Sequence, residues 1–312
     1  MLDADLFDAL EFVARQIRGS SAPFGAVQLV LSGDFFQLPP VSRRGQPKKL
    51  CFEAQSWEAC VQETVLLKLV FRQRDSKFVK LLSSVRWGRC SPEVLGELRA
   101  CLGRTFEEGD GIVETRLLTH KDDVAAVNAE CLGKLEGKEV RLRAADSGSP
   151  AHVRLLGDNC PAPACLTLKV GAQASTVILV RNLPNRGLAN GARGVVVRFS
   201  GGEAGLPVVK FVSRCEELLR QVEFPLFAGG QVVATRRQVP LLLAWAISVH
   251  KSQGMSLDRA SISLSRAFEF GQAYVALSRV KSLQGLSIVG EIEPKKIKAH
   301  PKVINYYKEL AR

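Results

Sequence analysis

The sequence predicts an α/β fold interrupted by a β-rich insertion, and three features predict it. Short apolar runs that read as buried strands, Ala26–Leu31 and Arg116–Thr119, are followed or flanked by helices with one apolar face. From about Glu136 to Val239, short Val- and Leu-rich segments alternate with Gly, Pro and Asn, the pattern of a small β barrel or sandwich. Beyond Val239 the strand-and-helix rhythm returns. The simplest division is part of one α/β domain at 1–110, a second at 111–136 and 240–312, and a β subdomain inserted at 137–239.

Taken in order, Leu6, Phe7, Leu10, Val13, Ala14 and Ile17 recur at three- and four-residue spacing, which predicts a helix over Asp5–Ile17 with those residues on one face. Ala26–Leu31 reads as a buried parallel strand that ends in Gly33-Asp34, at the edge where open α/β sheets bind ligands. A helix over Lys77–Trp87 buries Phe78, Leu81, Leu82 and Val85 and stops before Gly88. Arg116–Thr119 and Asp122–Leu135 repeat the strand-then-helix pattern. Within the insertion, Thr176–Val180, Gly194–Phe199 and Leu206–Val212 are the expected strands. Leu241–Ser248 is then a buried strand leading into the polar loop His250–Met255; Ala260–Leu264 and Leu286–Val289 are further strands, with a short helix at Gln272–Arg279 between them.

Composition narrows the class of function. With 43 Lys and Arg against 31 Asp and Glu, the net charge of +12 attracts polyanions, although charge alone fits a merely soluble basic protein equally well. The eight cysteines form no C-x-x-C pair, which argues against a zinc site or disulfide scaffold, and no metal ligands are assigned. The longest apolar run, Leu241–Ile247, is too short to cross a bilayer, and the acidic Leu2-Asp3-Ala4-Asp5 has the wrong charge for a secretory or mitochondrial leader. A soluble intracellular protein with no membrane partner is expected.

Three segments carry candidate chemistry. Gly33-Asp34-Phe35-Phe36-Gln37-Leu38-Pro39-Pro40 puts an amide, Gln37, just past a strand end in a loop stiffened by two prolines, where it can meet a phosphate oxygen or an attacking water. His250-Lys251-Ser252-Gln253-Gly254-Met255 gathers an imidazole, a cation, a hydroxyl and an amide in one loop, donors suited to phosphate. Gln272–Arg279 ends in an arginine projected outward, which could stabilise a transferring phosphoryl group. On that segment alone, Arg279 reads more simply as a cation at a helix C-terminus.

Together these segments resemble the petite integration frequency (PIF-one) family of superfamily-one 5′-to-3′ DNA helicases. The resemblance rests on GDFFQLPPV (33–41), VFRQRD (70–75), LLTHKDDVAAVN (117–128), NGARGVVV (190–197), LAWAISVHKSQGMSLD (243–258) and GQAYVALSRVKSLQGL (271–286), in family order across nearly the whole chain. It implies two RecA-like domains, the first present only in part, and makes the insertion an SH3-like subdomain. ATP with magnesium would lie between the RecA-like domains and single-stranded DNA across them. Gln37 would sense the γ-phosphate, and Arg72 and Arg279 would reach the nucleotide from the second side, Arg279 as the arginine finger. Thr119, His250, Lys251 and Ser252 would hold the DNA backbone and Asn128 would support that surface. Gln253 and Gly254 fall between the DNA and nucleotide roles. The family further implies action on forked DNA or G-quadruplexes, as a monomer, in replication, repair, recombination and telomere maintenance, in nucleus and mitochondrion.

The chain departs from the family pattern in three ways. It holds no G-x-x-x-x-G-K-[ST], the phosphate cradle of P-loop ATPases; Gly133-Lys134 and Gly137-Lys138 are followed by Leu and Glu. By family order the acidic Walker B pair belongs just before Met1, so the reading is of an N-terminally truncated copy that does not hydrolyse ATP alone and whose residues 1–110 expose apolar faces. Finally, Ala174-Ser175-Thr176 inserts three residues before a strand, which bears on its register. A non-catalytic single-stranded nucleic-acid-binding or regulatory protein stands as the alternative, and a helicase of a mobile element would share the same motifs.

Overall fold

The computed structural model describes residues 2–40, 49–106, 114–170, 176–201, 205–211 and 216–311. Four helices come first: α1 (Ala4–Arg18), α2 (Trp57–Cys60), α3 (Ser76–Arg86) and α4 (Pro92–Arg99). Then follow β1 (Thr115–Leu118), α5 (Lys121–Lys134), β2 (Glu139–Arg143), β3 (Ala145–Gly148), α6 (Pro150–Asn159), β4 (Cys165–Lys169), β5 (Thr176–Leu179), β6 (Arg193–Phe199), β7 (Pro207–Phe211), β8 (Glu216–Leu218), β9 (Val222–Ala228) and β10 (Gln231–Gln238). The chain continues with β11 (Leu241–Leu243), β12 (Ala246–Ser248), β13 (Ala260–Ser263), α7 (Gln272–Leu277), β14 (Leu286–Val289) and α8 (Pro301–Leu310). They divide into two compact units, Met1–Arg104 with Ile262–Arg312, and Thr105–Ser261.

Helix starts follow local chemistry. Asp3, Asp75 and Ser91 each lend a side-chain oxygen to a backbone N–H in the first turn of α1, α3 and α4, which satisfies donors the helix itself cannot. The amphipathic reading of α3 holds in full, because Phe78, Leu81, Leu82 and Val85 are its buried residues. The helix α1 also forms where it is expected, and most of its apolar face is left exposed. It buries Ala4, Phe7 and Glu11, with Phe7 packed on Phe24 and Trp57, while Leu6, Leu10, Val13 and Ile17 stand exposed. The partner elements among the described residues meet only the Phe7 side of this helix.

Ala26–Leu31, expected as a buried strand, forms none: the structure leaves it without a ladder and Val30 is 88% exposed. Strand composition needs a paired neighbour to become a strand, and none among the described residues pairs with it. Leu67 and Phe71 are likewise exposed, so the apolar faces expected over the first hundred residues are present.

In the second unit, β1 and β12 pair in parallel, with Leu118 opposite Ser248. The expected single strand Leu241–Ser248 is two strands. Its first half, β11, pairs antiparallel with β5 of the β-rich region, and its second half, β12, joins β1. The β-rich region comprises the order β11-β5-β6-β7-β8, the three-stranded β3-β10-β9 and the pair β2-β4. Leu142, Leu166, Leu168, Val177, Val196, Phe211 and Leu241 form one core between the first and last of these, as a barrel or sandwich requires. Of the Ala174–Thr176 insertion, Ala174 and Ser175 lie outside the described residues, and Thr176 opens β5 opposite Val195 of β6.

An ion pair between a buried arginine and a surface aspartate ties this region together. Arg236 on β10 donates to both carboxylate oxygens of Asp146 on β3 at 2.8 and 2.7 Å, and to the Ala162 carbonyl at 3.0 Å. The guanidinium holds the Asp146 carboxyl below its usual range. A group with a depressed folded pKa contributes stability above its unfolded value and loses it as pH falls. Asp146→Asn is therefore expected to cost about 1–3 kcal/mol in urea unfolding at neutral pH, and the gap to the parent should close below the ordinary aspartate value of 3.8. An equal gap at both pH values would mean that shape, not charge, holds the pair.

Candidate functional site

The first unit builds its candidate site on the turn at Asp34–Gln37. The Gln37 N–H donates to the Asp34 carbonyl at 3.1 Å and the Phe36 N–H to the Asp34 carboxylate at 3.1 Å, an aspartate-stabilised turn. That carboxylate is held by Arg86 of α3 at 2.8 and 3.2 Å and accepts from the Tyr307 hydroxyl of α8 at 3.4 Å. Phe36 stacks on Tyr307 at 4.7 Å, and the Arg86 guanidinium lies 4.4 Å from the Phe36 ring. The loop that presents Gln37 is thus pinned by an ion pair and an aromatic stack.

Gly271 pins it from the other side. Its φ is +72°, and a Cβ there would sit 2.3 Å from the Phe36 carbonyl oxygen and 2.7 Å from that of Gln37. Only glycine lets the start of α7 lie against this loop. Gln272 then accepts from the N–H groups of Phe268 and Glu269, which fixes the segment leading into the helix.

Helix α7 ends at the second half of the site. Sequence reading projects Arg279 outward, whereas the structure buries it to 2% exposure. Its Nε donates to the Val275 carbonyl and its Nη2 to the Ser278 hydroxyl, both at 2.8 Å, so the side chain folds back over the last turn of the helix. Arg72 donates to the Ser278 carbonyl at 3.3 Å, and the buried Gln73 donates to the carbonyls of Ser278 and Val280 at 3.0 and 2.8 Å. Burial first, and then repulsion from Arg72, push the Arg279 guanidinium down to about 10. It remains cationic at neutral pH. Tyr274 sits among these groups: burial and the Asp34 carboxylate push its phenol up, against the pull of Arg86, Arg279 and Arg72. Gln37, Arg72 and Arg279 therefore belong to one unit, linked through Gly271, Tyr274 and Ser278.

A buried guanidinium, Arg279, beside the half-buried Arg72 fits an anion, and a nucleotide phosphate near them would be met by both. Magnesium has no such support, since among the described residues no group of three or more His, Cys, Asp or Glu is placed to hold a metal ion. No described helix is long and apolar enough to cross a membrane.

The second unit carries the other candidates at the C-terminal edge of its parallel pair, where Thr119 follows β1 and His250 follows β12. Asn128 of α5 donates to the Ala246 carbonyl at 2.9 Å and accepts from its N–H at 3.0 Å, fastening the helix to β12 beneath this edge. The Thr119 hydroxyl lies 2.8 Å from Nδ1 of His120. Lys251 is an exposed residue of this turn whose ammonium is partly screened from water; that screening first, and then Lys121, draw it below the ordinary lysine value, while Cys160 opposes them. Ser252 differs from its neighbours, being fully buried with its hydroxyl donated to the Val249 carbonyl at 2.8 Å, so that hydroxyl braces the loop. The Gln253 N–H donates to the His250 carbonyl at 3.4 Å, and Gly254 turns the chain at φ +86°.

Motif reading leaves Asp34, Arg86, Gln73, Gly271, Tyr274 and Tyr307 without roles. Asp34, Gln73, Gly271 and Tyr274 lie inside the quoted motifs, but Arg86 and Tyr307 reach the site only through packing, and nothing local marks them.

Comparison with known proteins decides the family. Family models match over residues 1–94 (PIF1-like helicase) and 155–199 (DNA helicase Pif1, 2B domain). The human ATP-dependent DNA helicase PIF1 is 48% identical over the whole chain, and the ATP-dependent DNA helicase RRM3 of Saccharomyces cerevisiae is 30% identical over 99% of it. The chain spans about half of each, 48% and 52%. The crystal structure of Pif1 helicase from Candida albicans matches 99% of this chain and 75% of its own with 32% identity and a TM-score of 0.86. The chain belongs to the PIF1-like helicase family. Pif1 from Bacteroides in complex with ADP-AlF4 superposes with a TM-score of 0.80 at 26% identity, covering 100% of this chain and 73% of that one. The mixed α/β architecture is that of the Pif1 helicases and their RecA-like domains. Asp34, Gln37 and Arg72 fall within the first matched stretch of this PIF1-like chain, and the 2B match falls within the β-rich insertion.

Proposed function

We propose that this chain is the coupling and DNA-gripping part of an ATP-dependent 5′-to-3′ DNA helicase, with ATP and magnesium as cofactors and single-stranded DNA as its track. The observation that carries the nucleotide reading is the convergence of Arg72 and the buried Arg279 on Ser278, at 3.3 and 2.8 Å, in the unit that also presents Gln37. In this reading Gln37 meets the γ-phosphate or the attacking water, and Arg279 stabilises the charge that develops on the transferring phosphoryl group. Thr119, His250 and Lys251 hold the DNA backbone, Asn128 and Ser252 brace that edge, and Gln253 and Gly254 join the two functions. Residues 1–110, and 111–136 with 240–312, would be RecA-like domains, and 137–239 an SH3-like insertion.

Relatives of known structure include Bacteroides Pif1 bound to ssDNA and two coordinating Pif1 helicases at forked dsDNA. Forked DNA and G-quadruplexes are the substrates in this reading, and a monomer acting in DNA replication, repair, recombination and telomere maintenance in nucleus and mitochondrion completes it. The test is titration of a labelled single-stranded oligonucleotide at several salt concentrations. Each neutralised phosphate contributes about 0.7 to the slope of log K against log salt, so Lys251→Ala should flatten that slope by about 0.7. No binding at low salt would sink the DNA reading.

A second reading, a non-catalytic nucleic-acid-binding protein, is favoured by one observation: the 312 residues contain no G-x-x-x-x-G-K-[ST]. Phosphate release from ATP separates the two. The pure 312-residue chain should show none above background even with oligonucleotide present, and turnover would mean that the phosphate cradle takes another form.

A further inference from the structure

We propose that a groove on the β-rich insertion docks an acidic peptide that carries apolar side chains. The groove has a volume of about 500 Å³. Arg141 and Arg143 of β2, Arg220 just past β8 and Arg237 of β10 line it, with Leu206 and Leu218 in the same lining. All four arginines are exposed and the two leucines half-buried.

The charge in this groove is only partly cancelled among the described residues. Of the nearby carboxylates among the described residues, Glu139 pairs with Arg141 of the groove itself at 2.6 Å, while Glu216 pairs with Arg198 at 2.7 Å and Glu217 with Arg186, both outside the lining. Glu223 stands opposite Arg237 in the β9–β10 register and softens its field, although the two form no ion pair among the described residues. Arg143 and Arg220 likewise make no ion pair among the described residues, and they carry the greater part of the uncompensated charge.

The lining selects the occupant. Guanidiniums take carboxylates through two parallel hydrogen bonds, and leucines between them reward a partner that brings apolar side chains. A phosphodiester strand satisfies the arginines but brings no aliphatic side chain to the leucines. Bases stack on aromatic planes, and no aromatic side chain is among the described residues that line this groove. A segment in which Asp or Glu alternates with Leu or Phe matches both halves. The groove uses none of the residues assigned to the DNA edge, so the inference does not rest on the helicase reading.

The test is fluorescence anisotropy of the whole chain with two labelled synthetic peptides, one alternating Glu and Leu and one of Glu alone, beside a single-stranded oligonucleotide. The mixed peptide should bind, more tightly than the Glu-only peptide. Arg143→Glu with Arg220→Glu should weaken it by about tenfold or more, while oligonucleotide affinity and the unfolding midpoint stay unchanged. The milder Arg143→Gln, Arg220→Gln pair should give a smaller loss in the same direction. Absence of peptide binding, equal binding by the Glu-only peptide, or equal binding by the reversed variant would overturn the proposal. So would competition by the oligonucleotide together with its loss in the reversed variant, which would make the groove a nucleic-acid surface.

Discussion

Arg279→Ala, carried in a protein that joins this chain to a phosphate cradle, is expected to slow ATP turnover by about 10³- to 10⁵-fold. The guanidinium is desolvated, cationic at neutral pH and pushed down to about 10 by burial and by Arg72, so it holds charge where charge is costly. Such a group gains most when negative charge builds up beside it, and that gain is lost on substitution. Single-turnover phosphate release is the measurement, with nucleotide affinity followed alongside. The side chain also makes hydrogen bonds to Val275 and Ser278, so some loss of stability will accompany the change. Arg279→Lys separates the effects, because it keeps the charge and loses the planar fork. A few-fold change in Arg279→Ala, or a fall in turnover no larger than the fall in folded fraction, would return Arg279 to the role of a helix-end cation.

Gly271→Ala is expected to damage the fold and the coupling together. Its φ of +72° costs an L residue about 1–2 kcal/mol. The new methyl would also stand 2.3 Å from the Phe36 carbonyl oxygen, which forces backbone apart and adds about 1–3 kcal/mol. Gly187 supplies the control, because it has a similar φ of +64° and nothing within 4 Å of its Cβ position. Gly187→Ala should therefore lose only the conformational part, roughly 1 kcal/mol. Movement of the Phe36–Gln37 loop by about 1 Å would lower turnover by about 10²-fold in the same cradle-bearing protein. Denaturant unfolding of the three proteins and phosphate release from two of them test this. Equal destabilisation by the two glycine changes would show that the Gly271 contact yields without cost.

Local patterns were legible where the relevant interactions are local. The helical period found α3 within a residue at each end, and the runs at β1, β6, β7 and β14 emerged as strands because β-branched and aliphatic residues lay between turn residues. The same logic failed at Ala26–Leu31, and on α1 it found the helix while its apolar face stays largely uncovered. An apolar run states what a segment could bury, and only a partner decides what it does bury. Leu241–Ser248 failed differently: the apolar run is continuous, but the strand breaks at Ala244-Trp245 and the two halves pair with different strands.

By itself the sequence determined the family, through six motifs in order, and with it the residue types that can meet phosphate and DNA. Those choices reside in side-chain chemistry, which can be read one position at a time. Tertiary structure decided which of them act together and how. Gln73 reaches the Ser278 carbonyl 205 positions away, Arg86 and Tyr307 clamp the turn that presents Gln37, and Arg279 turns inward. These relations depend on which backbone packs against which, and on how far burial shifts a charge. No local window of sequence contains either.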